Sequence, residues 1–315
     1  MKLLITCPKF FGYELLIKKE AERLGYKTTF LDDRLGLNFF EQALIRKNIF
    51  TREIKLKLYR NVKKRLSDEI FDYWLCINPE GFDIKIIKYI SSKVNYKKIV
   101  YCWDSLANKP NQISIINLFD KRYSFDILDC KKHNLIHLPL YYSKNYYYRD
   151  NKIKNKKIYT IGSVHSDRIK IINTLLKNKF NIEFSLFSKN VFLTIYFFLK
   201  GIIPLNYIKN ISYDSTSHDD IFKKYNEYNF ILDISHPLQT GLTNRTFEVL
   251  ASGCSLITTN PNIIKYDFYN PLKIFILKRD FSNLAELNNW ITNYNNLKLN
   301  MDNYTLNNWL IQLLK

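Results

Sequence analysis

The stretch Ser235-His-Pro-Leu-Gln-Thr-Gly-Leu-Thr-Asn-Arg-Thr-Phe-Glu248-Val-Leu-Ala-Ser-Gly-Cys-Ser-Leu-Ile-Thr-Thr-Asn260 decides how the chain is read. Before it, Phe230 to Ile234 is an apolar run that predicts a buried strand. Within it come a loop punctuated by Gly241, a helix beginning near Thr243, and a second buried strand from Ser255 to Thr259. The loop therefore joins the carboxyl end of a strand to the amino end of a helix. There, backbone N–H groups and the helix dipole favour an anion such as a diphosphate. Arg245 and Glu248 lie three apart in this helix and share a face, so a cation and a carboxylate sit together one turn from the loop.

Working outward, the same grammar recurs. Leu3 to Thr6 reads as a strand, Pro8 to Gly12 as a loop, Tyr13 to Leu24 as a helix ending at Gly25, and Thr28 to Leu31 as a second strand. Such a β–loop–α–β unit with tight connections implies a parallel sheet. Further strands are expected at Tyr73 to Ile77, Ile99 to Trp103, Arg122 to Phe125 and Leu135 to Leu138, with helices between them, including basic Arg52 to Lys64. From Tyr146 to Lys157 the apolar signal lapses, as in a linker. The pattern then restarts with a strand at Lys157 to Ile161, a loop at Gly162 to Ser166, a helix at Asp167 to Lys177 and a strand at Glu183 to Phe187. The expected architecture is α/β: two doubly wound, Rossmann-like domains facing each other across a cleft, over residues 1–150 and 151–298. A terminal helix at 299–315 is expected to pack back on the first domain.

Composition narrows the functional classes. The 315 residues are 46% hydrophobic and 16% aromatic, which excludes a disordered chain and suits two domains with their own cores. Forty-eight Lys plus Arg against 29 Asp plus Glu give +19, which suits polyanions, phosphate-bearing ligands or an anionic membrane face. Lysines scattered among Asn, Ile and Tyr are equally the background of an AT-rich genome. Dispersed basic residues without a recognised motif argue against a nucleic-acid partner. Cys7, Cys76, Cys102, Cys130 and Cys254 form no Cys-x-x-Cys pair and read as buried thiols in a reducing cytoplasm. No metal-ligand spacing appears, so no metal is expected. The amino terminus is too short in its apolar part for a signal peptide. The longest apolar run, Val191 to Leu205, is broken by Lys200, Gly201 and Pro204 and falls short of a membrane span. It reads as a buried helix. The alternative is a segment resting on a membrane, helped by Lys189, Lys200 and Lys209.

With these residues in view the chain resembles the GT-B glycosyltransferases, and more narrowly bacterial enzymes that build lipopolysaccharide or capsule. The resemblance is most specific in Leu232 to Glu248, Leu256 to Asn260 and Lys265 to Pro271. It extends more weakly to Pro8–Tyr13, Tyr101–Ser105, Phe119–Asp126 and Gly162–Arg168. It implies that the second domain holds a nucleotide-sugar donor, that the first presents a saccharide or lipid-linked acceptor, and that neither cofactor nor metal takes part. It also implies a cytoplasmic protein, with peripheral membrane association as an option. Many retaining members carry two glutamates eight apart. Glu248 matches the later one, but the earlier position is Thr240, beside Gln239, which leaves retention or inversion open.

The resemblance assigns candidate roles, each beside a structural reading. Arg245 would neutralise charge on the leaving diphosphate, as its planar fork allows; otherwise it is a surface arginine. Glu248 would meet the donor ribose, or only complement the helix dipole. Thr243 and Thr246 would meet phosphate or cap the helix. Gly241 and Leu242 would form the turn, where glycine permits close backbone approach or positive φ. His236 follows the strand and is either a ligand contact or a satisfied loop residue. Gly162, Ser163, His165 and Arg168 would form a second diphosphate contact, and Phe187, with Ser188 next to it, would meet the base or pack in the core. On the acceptor side Asp104, closing a hydrophobic strand, is placed to take a proton from a hydroxyl if the reaction inverts, or to cap the next helix. Asp126 is a second candidate of the same kind. Phe11, Gly12 and Tyr13 would shape the acceptor pocket. The alternative to an enzyme is a nucleotide- or glycan-binding module of the same shape without turnover.

Overall fold

The computed structural model describes residues 1–47, 49, 51–146, 155–188, 190–214, 216–237, 239–294 and 296–315, and of residues 46, 145 and 193 the backbone alone. The chain divides into two compact units. The first comprises Met1–Tyr141, Leu238–Gly241 and Tyr304–Lys315, and the second Tyr142–Pro237 and Leu242–Asn303. The domain boundary expected at 150 falls among residues 147–154, outside the described ones. Of the expected linker, Tyr146 is in fact buried, packed against Phe222 and Tyr225 at ring distances of 6.0 Å, because its apolar ring has a pocket in the second unit.

In the first unit, strands β1 (Lys2–Thr6), β2 (Lys27–Leu31), β3 (Phe71–Ile77), β4 (Val94–Cys102), β5 (Lys121–Ser124) and β6 (Ile136–His137) form a parallel sheet in the order β2-β1-β3-β4-β5-β6. Helices α1 (Tyr13–Arg23), α2 (Phe39–Arg46), α3 (Arg52–Arg65), α4 (Ile84–Ser91), α5 (Ile113–Ile116) and α6 (Ile127–His133) connect them. Local chemistry sets the boundaries. Gly12, at φ 81°, takes a left-handed conformation that lets the chain turn into α1. Asn38 and Glu41 form a reciprocal capping box at α2, and Thr51 and Asp83 cap α3 and α4. Ile54, Leu58 and Val62 of α3 and Ile86, Ile87 and Ile90 of α4 fill one core with Leu4, Trp74, Cys76 and Val100 of the sheet. The strand expected over Leu135–Leu138 shrinks to two exposed residues, as suits a sheet edge.

In the second unit, β7 (Asn155–Ser163), β8 (Ile182–Phe187), β9 (Ile211–Ser212), β10 (Tyr228–Asp233), β11 (Ser255–Thr258) and β12 (Ile274–Ile276) form a parallel sheet ordered β12-β11-β10-β7-β8-β9. Its connecting helices are α7 (Ser166–Lys177), α8 (Val191–Leu199), α9 (His218–Tyr225), α10 (Asn244–Ala251) and α11 (Leu284–Thr292). Ile158, Ile172, Leu175, Phe230, Leu232, Ile257 and Leu287 make the core. Of the expected terminal helix, α12 (Leu306–Leu314) is α-helical, started by the Thr305 cap, and a 3-10 turn at Asp302–Tyr304 precedes it. It belongs to the first unit, where the Trp309 ring lies 4.8 Å from Tyr101 and 4.7 Å from Tyr141. All five cysteines are buried free thiols.

The expectation of a buried helix over Val191–Leu205 is overturned. Helix α8 ends at Leu199, and Phe192, Ile195, Tyr196, Leu199 and Leu205 are exposed, because the core beneath takes only one side of the segment. Lys189 lies outside the described residues. Among the described residues no helix is long and apolar enough to cross a membrane.

Candidate functional site

In a doubly wound sheet, ligands bind at the carboxyl ends of the two strands where the order reverses, since the loops leaving them part in opposite directions. In the second unit that point lies between β7 and β10, whose following helices are α7 and α10. Sequence therefore delivers Gly162–Arg168, Asp233–Pro237 and Leu242–Glu248 to one place. The rings of His165 and His236 lie 6.2 Å apart across it.

Two arginines converge here. The guanidinium of Arg168 is desolvated and feels the charge of Arg245, so its pKa is pulled down to about 10, against the opposing pull of Asp233 and Asp167. A Cβ on Gly162 would come within 2.7 Å of the Arg168 Cζ, so glycine at this position makes room for the guanidinium. Arg168 donates to the Ser163 carbonyl, while its Nε has no hydrogen-bond partner among the described residues. Arg245 donates to Asp233 Oδ1 at 3.4 Å and also bonds Tyr225. Asp233, buried at the end of β10, further accepts from the hydroxyls of Thr243 (2.8 Å) and Thr246 (2.9 Å). It thus braces the first turn of α10 and the orientation of Arg245.

This network corrects several expectations. Thr243 occupies the N-cap position but makes no side-chain cap, because its hydroxyl is turned to Asp233. Leu242 lies in the expected turn before α10, and its side chain, 1% exposed, packs in the core. Gly241 belongs with the first unit. It has no positive φ, and a Cβ there would meet Phe125 Cδ2 at 2.5 Å, so the close approach it permits is to Phe125 and not to a ligand. Ser188 is buried and receives the Thr194 hydroxyl at 2.8 Å, while Phe187 is half-buried at the end of β8. His165 caps α7 by accepting from Asp167 N–H, and burial lowers its pKa.

Glu248 is buried on α10. Its Oε1 lies 4.0 Å from His218 Nδ1, which in turn is 3.0 Å from the Tyr146 hydroxyl. Burial first, and the Glu248 charge second, push the Tyr146 hydroxyl well above the ordinary tyrosine range. Glu248 is therefore a structured carboxylate and not a solvated first-turn residue.

The equivalent point of the first sheet lies between β1 and β3, and it is acidic. Asp33, after β2, is buried; Oδ2 accepts from the N–H groups of Glu80 (2.8 Å) and Gly81 (3.0 Å), and Oδ1 lies 3.6 Å from Arg34 Nε. Burial raises its pKa to about 8, partly offset by Arg34. Asp104, after β4, accepts from Asn78 Nδ2 at 2.9 Å, and burial raises its pKa despite nearby Lys109, with Glu80 adding to the rise. Lys109 pairs with Glu80 at 2.7 Å. Asp104 caps no helix: the next helical turn, Pro110–Gln112, starts from Lys109. Asp126 is corrected as a base candidate. It caps α6 and also accepts from Thr240 N–H (2.9 Å), Thr240 Oγ1 (2.5 Å) and Gly241 N–H (3.0 Å), and these donors outweigh burial and hold its pKa below the ordinary value. Phe11 (φ 51°), Gly12 and Tyr13 follow β1, and the Tyr13 ring lies 5.5 Å from Trp103. Among the described residues no cluster of His, Cys, Asp or Glu is arranged to hold a metal ion.

No family model and no curated protein matches the chain by sequence. Solved structures do match by shape. A glycosyltransferase from Rickettsia africae superposes with a TM-score of 0.62 at 12% identity, covering 99% of this chain and 96% of that one. A sucrose-phosphate synthase from Thermosynechococcus elongatus gives 0.61 at 9% identity, covering 93% and 89%. A UDP-GlcNAc 2-epimerase from Methanocaldococcus jannaschii gives 0.56 at 11% identity, covering 100% and 99%. The fold is GT-B. Both six-stranded parallel sheets of this GT-B chain are continuous within their units, so the likeness spans both halves.

Sequence reasoning on the GT-B chain missed Asp233, Arg279, Asp33, Asn78, Glu80 and Lys109. Arg279 pairs with Asp167 at 2.6 Å and donates to the Ser235 carbonyl and to Thr259 Oγ1, tying the two loops of the second switch point together. The signal was available for Asp33, Glu80 and Asp233, which follow or end apolar strands as Asp104 does. Arg279 and Lys109 carry no local signal.

Proposed function

We propose that the chain is a glycosyltransferase that moves a sugar from a nucleoside-diphosphate donor to a saccharide acceptor of a bacterial surface glycan, lipopolysaccharide or capsule, in the cytoplasm. The observation that carries this reading is the pair Arg168 and Arg245, two cations brought together at the switch point of the second sheet, where a diphosphate relieves their mutual repulsion. The surface-glycan assignment rests on the sequence resemblance in Leu232 to Glu248.

In the proposed reaction the acceptor hydroxyl oxygen bonds to the sugar's anomeric carbon while the carbon–oxygen bond to the diphosphate breaks and its electron pair leaves with the diphosphate. Arg168 and Arg245 stabilise that developing charge. Asp104, with its raised pKa, takes the hydroxyl proton if the configuration inverts. Asp233, Thr243 and Thr246 hold Arg245 in place, and Glu248 meets the donor ribose.

Labelled nucleotide sugars incubated with oligosaccharide acceptors test this. Nucleoside diphosphate should be released in step with new glycoside. The M. jannaschii epimerase has the same fold, so sugar epimerisation without net diphosphate release would replace transfer by epimerisation. Donor binding with no turnover would reduce the chain to a binding module.

A further inference from the structure

The segment Val191–Asn210 of the second unit has two unlike sides. One is anchored: Thr194 is 2% exposed and bonds Ser188 Oγ, Phe197 and Phe198 pack on the core, and Ile203 and Tyr207 are buried, Tyr207 against Phe184 at 4.5 Å and bonded to Asn173. The other side is open. At ~100° per residue, Val191, Phe192, Ile195, Tyr196 and Leu199 fall within about 140° of one another around α8. These five are 49%, 79%, 47%, 52% and 84% exposed. Leu205 and Ile208, on the helical turn that follows, are exposed too. An apolar face this continuous marks an interaction surface, since water is a poor neighbour for it.

Charge selects the occupant. Between Ser188 and Tyr213 there is no Asp or Glu, and the charged residues are three lysines, 189, 200 and 209. Lys200 and Lys209 are exposed beside the apolar face, and the Lys200 ammonium lies 5.8 Å from the Tyr196 ring centroid. A long aliphatic stem along an aromatic ring with its charge at the rim suits a boundary between hydrocarbon and anionic headgroups. A second copy of this chain would instead bring the same lysines against one another across a two-fold interface, in a molecule already at +19.

We propose that α8 and the turn after it are a docking surface for an anionic lipid bilayer, with Phe192, Ile195, Tyr196 and Leu199 entering the interface and Lys200 and Lys209 meeting the headgroups. The surface is built into the unit that carries the arginine pair, yet its binding needs no donor.

The test is co-sedimentation of the full chain with vesicles of phosphatidylglycerol and phosphatidylcholine, and with phosphatidylcholine alone. Wild type should bind the anionic vesicles at least ~tenfold better, and binding should weaken as salt rises. Phe192→Ser with Leu199→Ser should lower binding to anionic vesicles by roughly tenfold or more without changing the melting temperature, because both side chains are exposed. Lys200→Glu with Lys209→Glu should remove the preference for anionic lipid. The proposal is overturned if wild type fails to sediment with anionic vesicles at low salt or if the serine pair binds as wild type does. It is equally overturned by a concentration-dependent dimer that the serine pair dissolves. Arg245→Ala should bind vesicles like wild type, so a failure of the nucleotide reading leaves this result intact.

Discussion

The two switch points have the same architecture and opposite chemistry. Each sits at the carboxyl ends of parallel strands. The first gathers Asp33, Glu80 and Asp104, with two of these carboxyl groups raised in pKa, and the second gathers Arg168, Arg245 and Arg279. The fold supplies the place, and the residues that end each strand set the charge gathered there. Burial acts on both in the same direction, disfavouring charge. It raises the pKa of Asp33 and Asp104 in one unit and lowers that of Arg168 in the other.

If the reaction inverts, removing the proposed proton acceptor should have the largest effect. Asp104→Asn is expected to lower kcat by about 10²–10⁴-fold while leaving donor affinity unchanged in calorimetry. In wild type the acid limb of kcat/KM should lie above the ordinary carboxylate range, because the base works only when deprotonated and burial raises its pKa. Equal loss of donor affinity would erase the division of labour between the two units.

Next in size is the stability of the first unit. Gly241→Ala forces a Cβ to 2.5 Å from Phe125 Cδ2 and 2.7 Å from its carbonyl oxygen. It should cost about 1–3 kcal/mol, read as a lower denaturation midpoint. Gly162→Ala instead displaces the Arg168 guanidinium. It should weaken nucleoside-diphosphate binding by roughly tenfold, the loss of about one net charge-assisted hydrogen bond, with little change in melting.

The smallest effect concerns pH. Asp33 has a folded-state pKa of about 8, raised from 3.8 by burial. Between those values the unfolded chain releases a proton that the folded chain keeps, so the contribution of this group to stability falls as pH rises through that window. Melting curves of Asp33→Asn should show a flatter dependence on pH from about 4 to 8 than wild type. A steeper one would contradict the assignment of a buried, protonated Asp33.

Much of the fold was legible because parallel strands buried on both faces announce themselves as apolar runs, as in Phe71–Ile77 and Tyr228–Asp233. Short edge strands such as Ile211–Ser212 and Ile274–Ile276 were not, since two or three residues carry no period. The position of a candidate residue was legible where it follows from its own strand and helix, as for Arg168, Arg245 and Asp104. It was illegible where a partner distant in sequence decides the role. Asp126 reads as a base until Thr240 and Gly241, 114 and 115 residues on, occupy its carboxylate. Thr243 reads as a cap until Asp233 takes its hydroxyl. The apolar run at Val191 reads as core because hydropathy alone does not distinguish a side facing the interior from one facing out.

The central claim is that the second switch point grips a diphosphate through Arg168 and Arg245. Isothermal calorimetry with a panel of nucleosides, nucleoside monophosphates and nucleoside diphosphates tests it directly, on wild type and on Arg245→Ala. The account predicts that one diphosphate binds far more tightly than its nucleoside, and that Arg245→Ala weakens it by about 10- to 100-fold while leaving the nucleoside alone. Binding of diphosphate and nucleoside with equal affinity, or an unchanged diphosphate affinity in the variant, would contradict it.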